Sequence, residues 1–247
     1  MDTKTVLISG GTSGIGLATA QVLLDRGINV AITGRSHARG QAAVQQLGGA
    51  AHTLYIDGDV SADADCAAMV RAVIDHFGRL DGLVTSAGQY EERLLENVSP
   101  QDMQRLFAVN VYGTINLCRH SLPYLKQTRG AIVTVSSDAG LQGNVACSIY
   151  GATKGAVIAF TKSLALETAP HGVRVNAVCP GDVQTPMLER QMAADQELTV
   201  EAVKQQYPLY RICTAEEVAK AIAFLLSTDA SYITAAALPV DGGLTSW

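Results

Sequence analysis

The chain has 247 residues, 48% of them hydrophobic and 17% charged, with 23 glycines, which supplies one large core with many tight turns and excludes a disordered chain. Lys+Arg 18 against Asp+Glu 23 gives a net charge of -5, the wrong sign for nucleic acid or an anionic membrane, so neither partner is expected. Cys66, Cys118, Cys147, Cys179 and Cys213 form no C-x-x-C pair, which argues against a zinc site or disulfide framework and for a reducing compartment.

From Met1 to Lys4 the chain runs straight into Val6-Leu7-Ile8, without the basic start, apolar region and cleavage site of a signal peptide. No apolar run reaches membrane-spanning length, and a cytoplasmic location is expected. Short apolar runs then alternate with helix-length intervals: Thr5–Ser9, Asn29–Thr33, His52–Asp57, Gly82–Thr85, Ala131–Ser136, Arg174–Cys179 and Ala236–Val240 read as strands. Continuous apolar strands spaced by helices are the pattern of buried βαβ units. They predict one α/β domain over residues 1–247, a doubly wound, seven-stranded, mostly parallel sheet with helices on both faces.

The first strand leads into Ser9-Gly10-Gly11-Thr12-Ser13-Gly14-Ile15-Gly16, ahead of an apolar helix from Leu17 to Leu24. Glycines there let the backbone approach a pyrophosphate, whose charge meets free N–H groups at the helix start. A dinucleotide is the expected ligand, although a purely structural turn or an S-adenosylmethionine site would use a similar loop. The second strand ends in Gly34-Arg35-Ser36, where an arginine suits the 2′-phosphate of NADP and a carboxylate would suit the ribose of NAD. NADP is therefore expected before NAD. Asp59, followed by Val60, stands at the end of the third strand where adenine would lie, or serves as a turn cap. Thr85-Ser86-Ala87-Gly88 ends the fourth strand with residues small enough for close backbone passage beside a ribose.

Ser99 and Pro100 look like the cap and first residue of a helix that runs toward Asn110. A buried helical asparagine must be hydrogen-bonded or bend its helix, so Asn110 is either a polar site residue or a structural one. The fifth strand ends in Ser136-Ser137-Asp138, and groups just beyond strand carboxyl ends face the ligand crevice of such sheets. After the loop 139–148, Tyr150 and Lys154 stand at i and i+4, on one helix face and roughly 5–6 Å apart at Cβ. A neighbouring ammonium favours a phenolate, so the pair can move protons; taken alone, the same spacing also describes ordinary packing. Beyond the sixth strand come Cys179-Pro180-Gly181-Asp182-Val183-Gln184-Thr185 and an irregular stretch over 186–212 with Leu188, Met192, Leu198, Val203, Tyr207, Leu209 and Tyr210. That stretch reads as a substrate lid, with a packed surface helix or a subunit contact as alternatives. A regular helix over Ala215–Leu226 follows.

With these residues assembled, the whole chain resembles the short-chain dehydrogenase/reductase family of about 250 residues. The likeness rests on the glycine segment Ser9 to Gly16, on Thr85 to Gly88, on the set Asn110, Ser137, Tyr150 and Lys154, and on Pro180-Gly181. It implies a Rossmann-like fold and NAD(P)-dependent hydride transfer between a carbonyl and a secondary alcohol. Tyr150 would be the general acid/base; Lys154 would lower its pKa and hold the nicotinamide ribose. Ser137 would orient the substrate oxygen, Asn110 would anchor a relay water, and Val183 and Thr185 would hold the carboxamide. No metal is required. Ser9, Thr85-Ser86 and Ala235 depart from the family's usual threonine, paired asparagines and glycine. No basic residue stands in Thr12-Ser13-Gly14, so NAD stays open as the second carrier.

Tyr90, Gln142, Asn144 and Cys147 are the candidate substrate neighbours, with a 3-oxoacyl thioester or small ketone as the substrate that family frequency suggests. The C-terminal segment Leu238–Gly243 resembles the region through which the family forms homotetramers. The rival readings are a catalytically silent nucleotide-binding sensor or scaffold of the same fold and, more distantly, a methyltransferase.

Overall fold

The computed structural model describes residues 3–194 and 199–246. Its elements in chain order are β1 (Thr5–Ser9), α1 (Gly14–Leu24), β2 (Asn29–Gly34), α2 (His37–Gln46), β3 (Thr53–Asp57), α3 (Asp63–Phe77) and β4 (Gly82–Thr85). Then come α4 (Pro100–Phe107), a π-helical turn over Ala108–Tyr112, α5 (Gly113–Thr128), β5 (Ala131–Val135), α6 (Ser148–Thr168), β6 (Arg174–Pro180) and β7 (Val183–Gln184). The chain closes with α7 (Pro186–Ala194), α8 (Val200–Gln205), β8 (Cys213–Thr214), α9 (Ala215–Leu226) and β9 (Ala237–Val240).

Seven strands form one sheet in the order β3-β2-β1-β4-β5-β6-β9, and every pairing in it is parallel. The expected sheet is therefore present, and wholly rather than mostly parallel. Alternation explains why its strands read as unbroken apolar runs. Val6 and Ile8 of β1 enter the core shared with Ala20 and Leu23 of α1 and Val218 and Ile222 of α9. Leu7, between them, enters the opposite core with Met69 and Val73 of α3 and Leu117 of α5. Both faces are covered, so each position in the strand gains by being apolar, by about 1.5–3 kcal/mol for a fully buried aliphatic side chain.

Several boundaries differ from the sequence expectation. Ser136 lies outside β5, although its N–H still donates to the Val178 carbonyl at 2.8 Å. α1 begins at Gly14, three residues before the apolar run that marks it in the sequence, since the glycine loop itself supplies the first turn. Two-residue strands β7 and β8 pair in a separate small sheet, too short to leave a pattern in sequence. Of the stretch over 186–212, the described part holds α7 and α8, and Leu188, Val203, Tyr207 and Ile212 form a small core of their own with Met192 and Leu244. Leu198 lies outside the described residues. The Ser99 side chain caps α4 as expected, accepting from the N–H of Asp102 at 3.1 Å, with Pro100 in the first turn.

Ala235 has φ +62°, in the left-handed region that costs a side chain roughly 1 kcal/mol and favours glycine. This is the position where the resemblance leads one to expect glycine. Asn176, fully buried on β6, fastens both flanks of it, donating to the carbonyl of Ile233 at 2.9 Å and accepting from the N–H of Ala236 at 3.0 Å. No helix among the described residues is long and apolar enough to cross a membrane.

Candidate active site

The carboxyl ends of β1, β4, β5 and β6 bring the sequence-singled residues to one side of the sheet. Ser13 precedes α1 in extended conformation, its side chain makes no capping hydrogen bond, and the first turn carries no acid. The leading N–H groups of α1 are thereby left for an anion. Gly10 adopts φ +67°, and a Cβ there would come within 2.8 Å of the Ala87 backbone. Gly16 packs against the carbonyl of Gly10 just as tightly, and a Cβ on Gly14 would meet the Thr185 side chain at 3.2 Å. The loop 9–16, the segment 86–88 and the exit of β6 thus close on one another around backbone too near for side chains. That is the cradle a dinucleotide needs, and the residues present fit one.

The Ser9 Oγ accepts from the N–H of Ala87 at 3.2 Å, tying the glycine loop to the β4 exit. The Thr12 methyl sits 2.9 Å from where a Cβ on Gly34 would lie, bringing the loop beside the end of β2. Ile15 packs on the core beneath. Arg35 is exposed and reaches Asp59 loosely, at 3.9 Å. Asp59 also accepts from the backbone and hydroxyl of Ser61 at 2.9 and 2.8 Å, so the turn-capping alternative describes it well. Val60 is buried against Gly113. Sequence reasoning passed over Asp57, which ends β3 beside Gly34 and binds His37 and the Tyr55 hydroxyl, both at 2.7 Å.

Asn110 occupies the π turn, fully buried and hydrogen-bonded. Its Oδ1 accepts from the N–H of Gln89 at 2.8 Å, and its Nδ2 donates to the Gln89 carbonyl at 2.9 Å and to Thr153 Oγ1 at 3.1 Å. The widened turn aims this amide out of the helix, and the amide pins the loop after β4 to the helix that carries Tyr150. Among the described residues its side chain is spent on that clamp.

Tyr150 and Lys154 lie on α6 with relative exposures of 8% and 6%. Lys154 Nζ donates to the carbonyl of Val135 at 3.1 Å and stands 5.6 Å from the Tyr150 ring centre. Burial lowers its pKa to about 8. The same burial raises the Tyr150 phenol above its ordinary value; the Ser137 hydroxyl works the other way, and Asp138, Cys147 and Asp182 add to the rise. The charges that act on the phenol in the chain alone are those of the acids, while the Lys154 ammonium faces the Val135 carbonyl.

Ser137 donates to Asp138 Oδ1 at 2.7 Å and accepts from the N–H of Ala139 at 3.2 Å. Asp138 Oδ2 accepts from Asn144 at 3.0 Å. Tyr90 packs edge-to-face on Tyr150 with ring centres 4.8 Å apart, and its hydroxyl bonds Glu92 at 2.8 Å and Cys147 at 3.4 Å. Of the candidate substrate neighbours, Tyr90 packs on Tyr150, Cys147 bonds Tyr90 and Asn144 bonds Asp138, while Gln142 donates through its backbone N–H to the carbonyl of Asp138. Asp182 accepts from Tyr207 Oη at 2.8 Å, while its own N–H donates to that oxygen at 2.6 Å. Tyr207 packs where a Cβ on Gly181 would stand. Val183 is buried on β7, and the Thr185 hydroxyl donates to the Val183 carbonyl at 3.1 Å. Asp138, Asp182 and Glu92 received no role from the sequence; acids at strand exits read equally well as caps.

Residues 10–245 match a sequence profile of the family described as Enoyl-(Acyl carrier protein) reductase. L-fucose dehydrogenase of Mus musculus is 39% identical over 243 residues, covering 97% of this chain and 88% of that protein. The structure titled "ElxO with NADP Bound" superposes with a TM-score of 0.92 at 32% identity, over 99% of this chain and 100% of the other. A 3-ketoacyl-(acyl-carrier-protein) reductase from Brucella melitensis, complexed with NADH, gives 0.90 at 32% identity over 98% of each chain.

Proposed function

The chain belongs to the short-chain dehydrogenase/reductase family, an NAD(P)-dependent oxidoreductase acting on CH-OH and C=O groups, and from that premise we propose which residues perform the reaction and how. The observation that carries the assignment is Tyr150 flanked by Ser137 and Lys154 above the glycine cradle, with Asn110 locking the Gln89 loop to α6 through Thr153. The nicotinamide, when bound, supplies or accepts the hydride. Tyr150 gives the proton to the substrate oxygen in reduction and takes it in oxidation. Ser137 orients that oxygen. Lys154, fixed by Val135, holds the ribose hydroxyls and brings a positive charge under the phenol. Gly10, Thr12, Ser13, Gly14, Ile15 and Gly16 form the pyrophosphate bed, with Ala87, Gly88, Pro180, Gly181, Val183 and Thr185 along the nicotinamide half.

NADP is the preferred carrier in this reading, with Arg35 turning from its loose pairing with Asp59 to the 2′-phosphate; kcat/KM measured with NADPH and NADH decides it. The stretch over 186–212 serves as the lid, tethered by Tyr207. The assembly is a cytoplasmic homotetramer, for which exposed Tyr112 and Leu166 supply apolar surface beside α5 and α6; light scattering of the purified protein tests the assembly.

The deciding experiment is Tyr150→Phe on a panel of secondary alcohols and ketones. Turnover falls by about 10²–10⁴-fold, the usual contribution of a positioned general acid/base, while nicotinamide binding measured by cofactor fluorescence is retained. Turnover near wild type in a folded, cofactor-binding variant would sink the assignment.

A further inference from the structure

Three segments meet beside Tyr150: the loop after β4, helix α4 and the loop after β5. A ring of alternating charge joins the first two. Arg105 of α4 stands 2.8 Å from Glu91 and 2.7 Å from Asp102, and Arg93 closes the square at 3.0 Å from Glu91 and 2.9 Å from Asp102. The carboxylates are its sheltered members, with side chains 13% and 17% exposed against 43% and 50% for the two arginines. A lone surface pair contributes little, whereas several charges that restrain one another in a network hold a definite geometry. Asp102 also takes the Ser99 hydroxyl at 2.7 Å, and Ser99 and Arg105 together hold its carboxyl below the usual carboxylate range. The ring therefore stays charged at neutral pH.

Along the loop the side chains alternate. Glu91 and Arg93 turn to α4, while Tyr90 and Glu92 turn the other way: the Tyr90 hydroxyl bonds Glu92, and its ring packs edge-to-face on Tyr150 with centres 4.8 Å apart. Tyr90 is bracketed on both sides. Before it, the backbone of Gln89 exchanges two hydrogen bonds with the Asn110 amide; after it, Glu91 enters the ring. The N–H of Arg93 donates to the Ala146 carbonyl at 2.7 Å, one residue before Cys147, whose sulfur lies 3.4 Å from the Tyr90 hydroxyl. Ala146 has φ +58°, in the left-handed region that favours glycine, so this third contact is kept against backbone strain. Proton transfer needs the phenol of Tyr150 in one orientation, within reach of the substrate oxygen. Edge-to-face contact with a fixed ring restrains it on that flank.

Resting on the assignment of Tyr150 as the acid/base, we propose that Tyr90 is a positioning residue for it. The ring of Glu91, Arg93, Asp102 and Arg105 is the brace that keeps Tyr90 in place, and it acts on turnover through Tyr90, not through substrate or cofactor affinity.

The test is a double-variant cycle in the full-length enzyme, run at saturating cofactor on the best substrate from the panel of secondary alcohols and ketones. Tyr90→Ala lowers kcat by about tenfold, since a small displacement of a reacting group is costly. Glu91→Gln and Arg105→Gln each lower kcat by about threefold or more, while substrate KM and the nicotinamide dissociation constant stay within about twofold of wild type. Arg105→Lys recovers part of the loss, because it keeps the charge but spans the two carboxylates less well. The decisive arm is Tyr90→Ala with Arg105→Gln: its kcat equals that of Tyr90→Ala alone, because the brace has nothing left to hold. If Tyr90→Ala fails to fold, Tyr90→Leu takes its place in the cycle. Additive losses, wild-type kcat in both ring variants, or a loss confined to substrate KM or nicotinamide affinity would each overturn the proposal while the oxidoreductase reading stands. Full activity of a folded, cofactor-binding Tyr150→Phe would overturn both.

Discussion

The cofactor cradle and the substrate pocket meet at Tyr150 but are made of different material. The cradle is backbone: Gly10, Gly14 and Gly16 leave room that a Cβ would fill, and the Ser13 side chain leaves the first N–H groups of α1 uncapped. The pocket is side chains borrowed from distant stretches: Tyr90 and Glu92 after β4, Asp138 and Asn144 after β5, Asp182 after β6, and Tyr207 after α8. A backbone site is specified by one short segment and tolerates little change. A side-chain site can be altered one residue at a time without touching the fold, so one family keeps its carrier while varying what it acts upon.

If that division is correct, substitutions in the two regions fail in different ways. The largest effect beyond Tyr150→Phe belongs to Lys154, which serves both regions. Lys154→Met abolishes most turnover, by about 10²-fold or more, yet raises stability, because a cation with no carboxylate partner among the described residues no longer has to be buried. The sign of the pH dependence follows from a folded-state pKa lowered from 10.5 to about 8. The destabilisation is present in full below about pH 8 and fades as pH rises toward 10.5, so the Tm advantage of the variant shrinks over that window. A variant less stable than wild type at pH 7 would refute this account of Lys154.

Gly10→Ala should damage the cradle and spare the pocket. The residue sits at φ +67° with the Ala87 backbone 2.8 Å from the new Cβ, a strain of about 1–3 kcal/mol. Cofactor affinity drops by about tenfold or more, while the ranking of substrates at saturating cofactor is unchanged; a changed ranking would show that the regions are not separable. Tyr207→Phe does the reverse. It removes both bonds at Asp182 and raises KM for substrate several-fold, by about 1 kcal/mol, with cofactor affinity intact. The smallest effect lies outside both regions: Ala235→Gly relieves φ +62° and stabilises the protein by roughly 1 kcal/mol, read as a rise in Tm with unchanged kinetics.

What could be read from the sequence follows the same division. The sheet was legible because strands buried on both faces are apolar at every position, and the glycine loop because its constraint is local. Tyr150 and Lys154 were legible through helical spacing. The pocket was not. Glu92 lies on the exposed loop after β4, and Asp182 acts through Tyr207, 25 residues away in sequence. Strands β7 and β8 are two residues each, below the length at which any period exists. Spacing gives the proximity of Lys154 to the phenol but not the burial that opposes its ionisation.

The π turn at Ala108–Tyr112 does one more thing for the molecule. α4 packs on α6 and α5 packs on α3, so a nearly continuous helical rod serves two partners that want different angular phases, and the widened turn is the clutch between them. Removing one residue from that turn would leave composition, hydrophobicity and helix content almost unchanged. It would also rotate everything beyond it by about 100°, swinging the apolar stripe of α5 off its core. The length of this segment is therefore under tighter constraint than most of the residues in it.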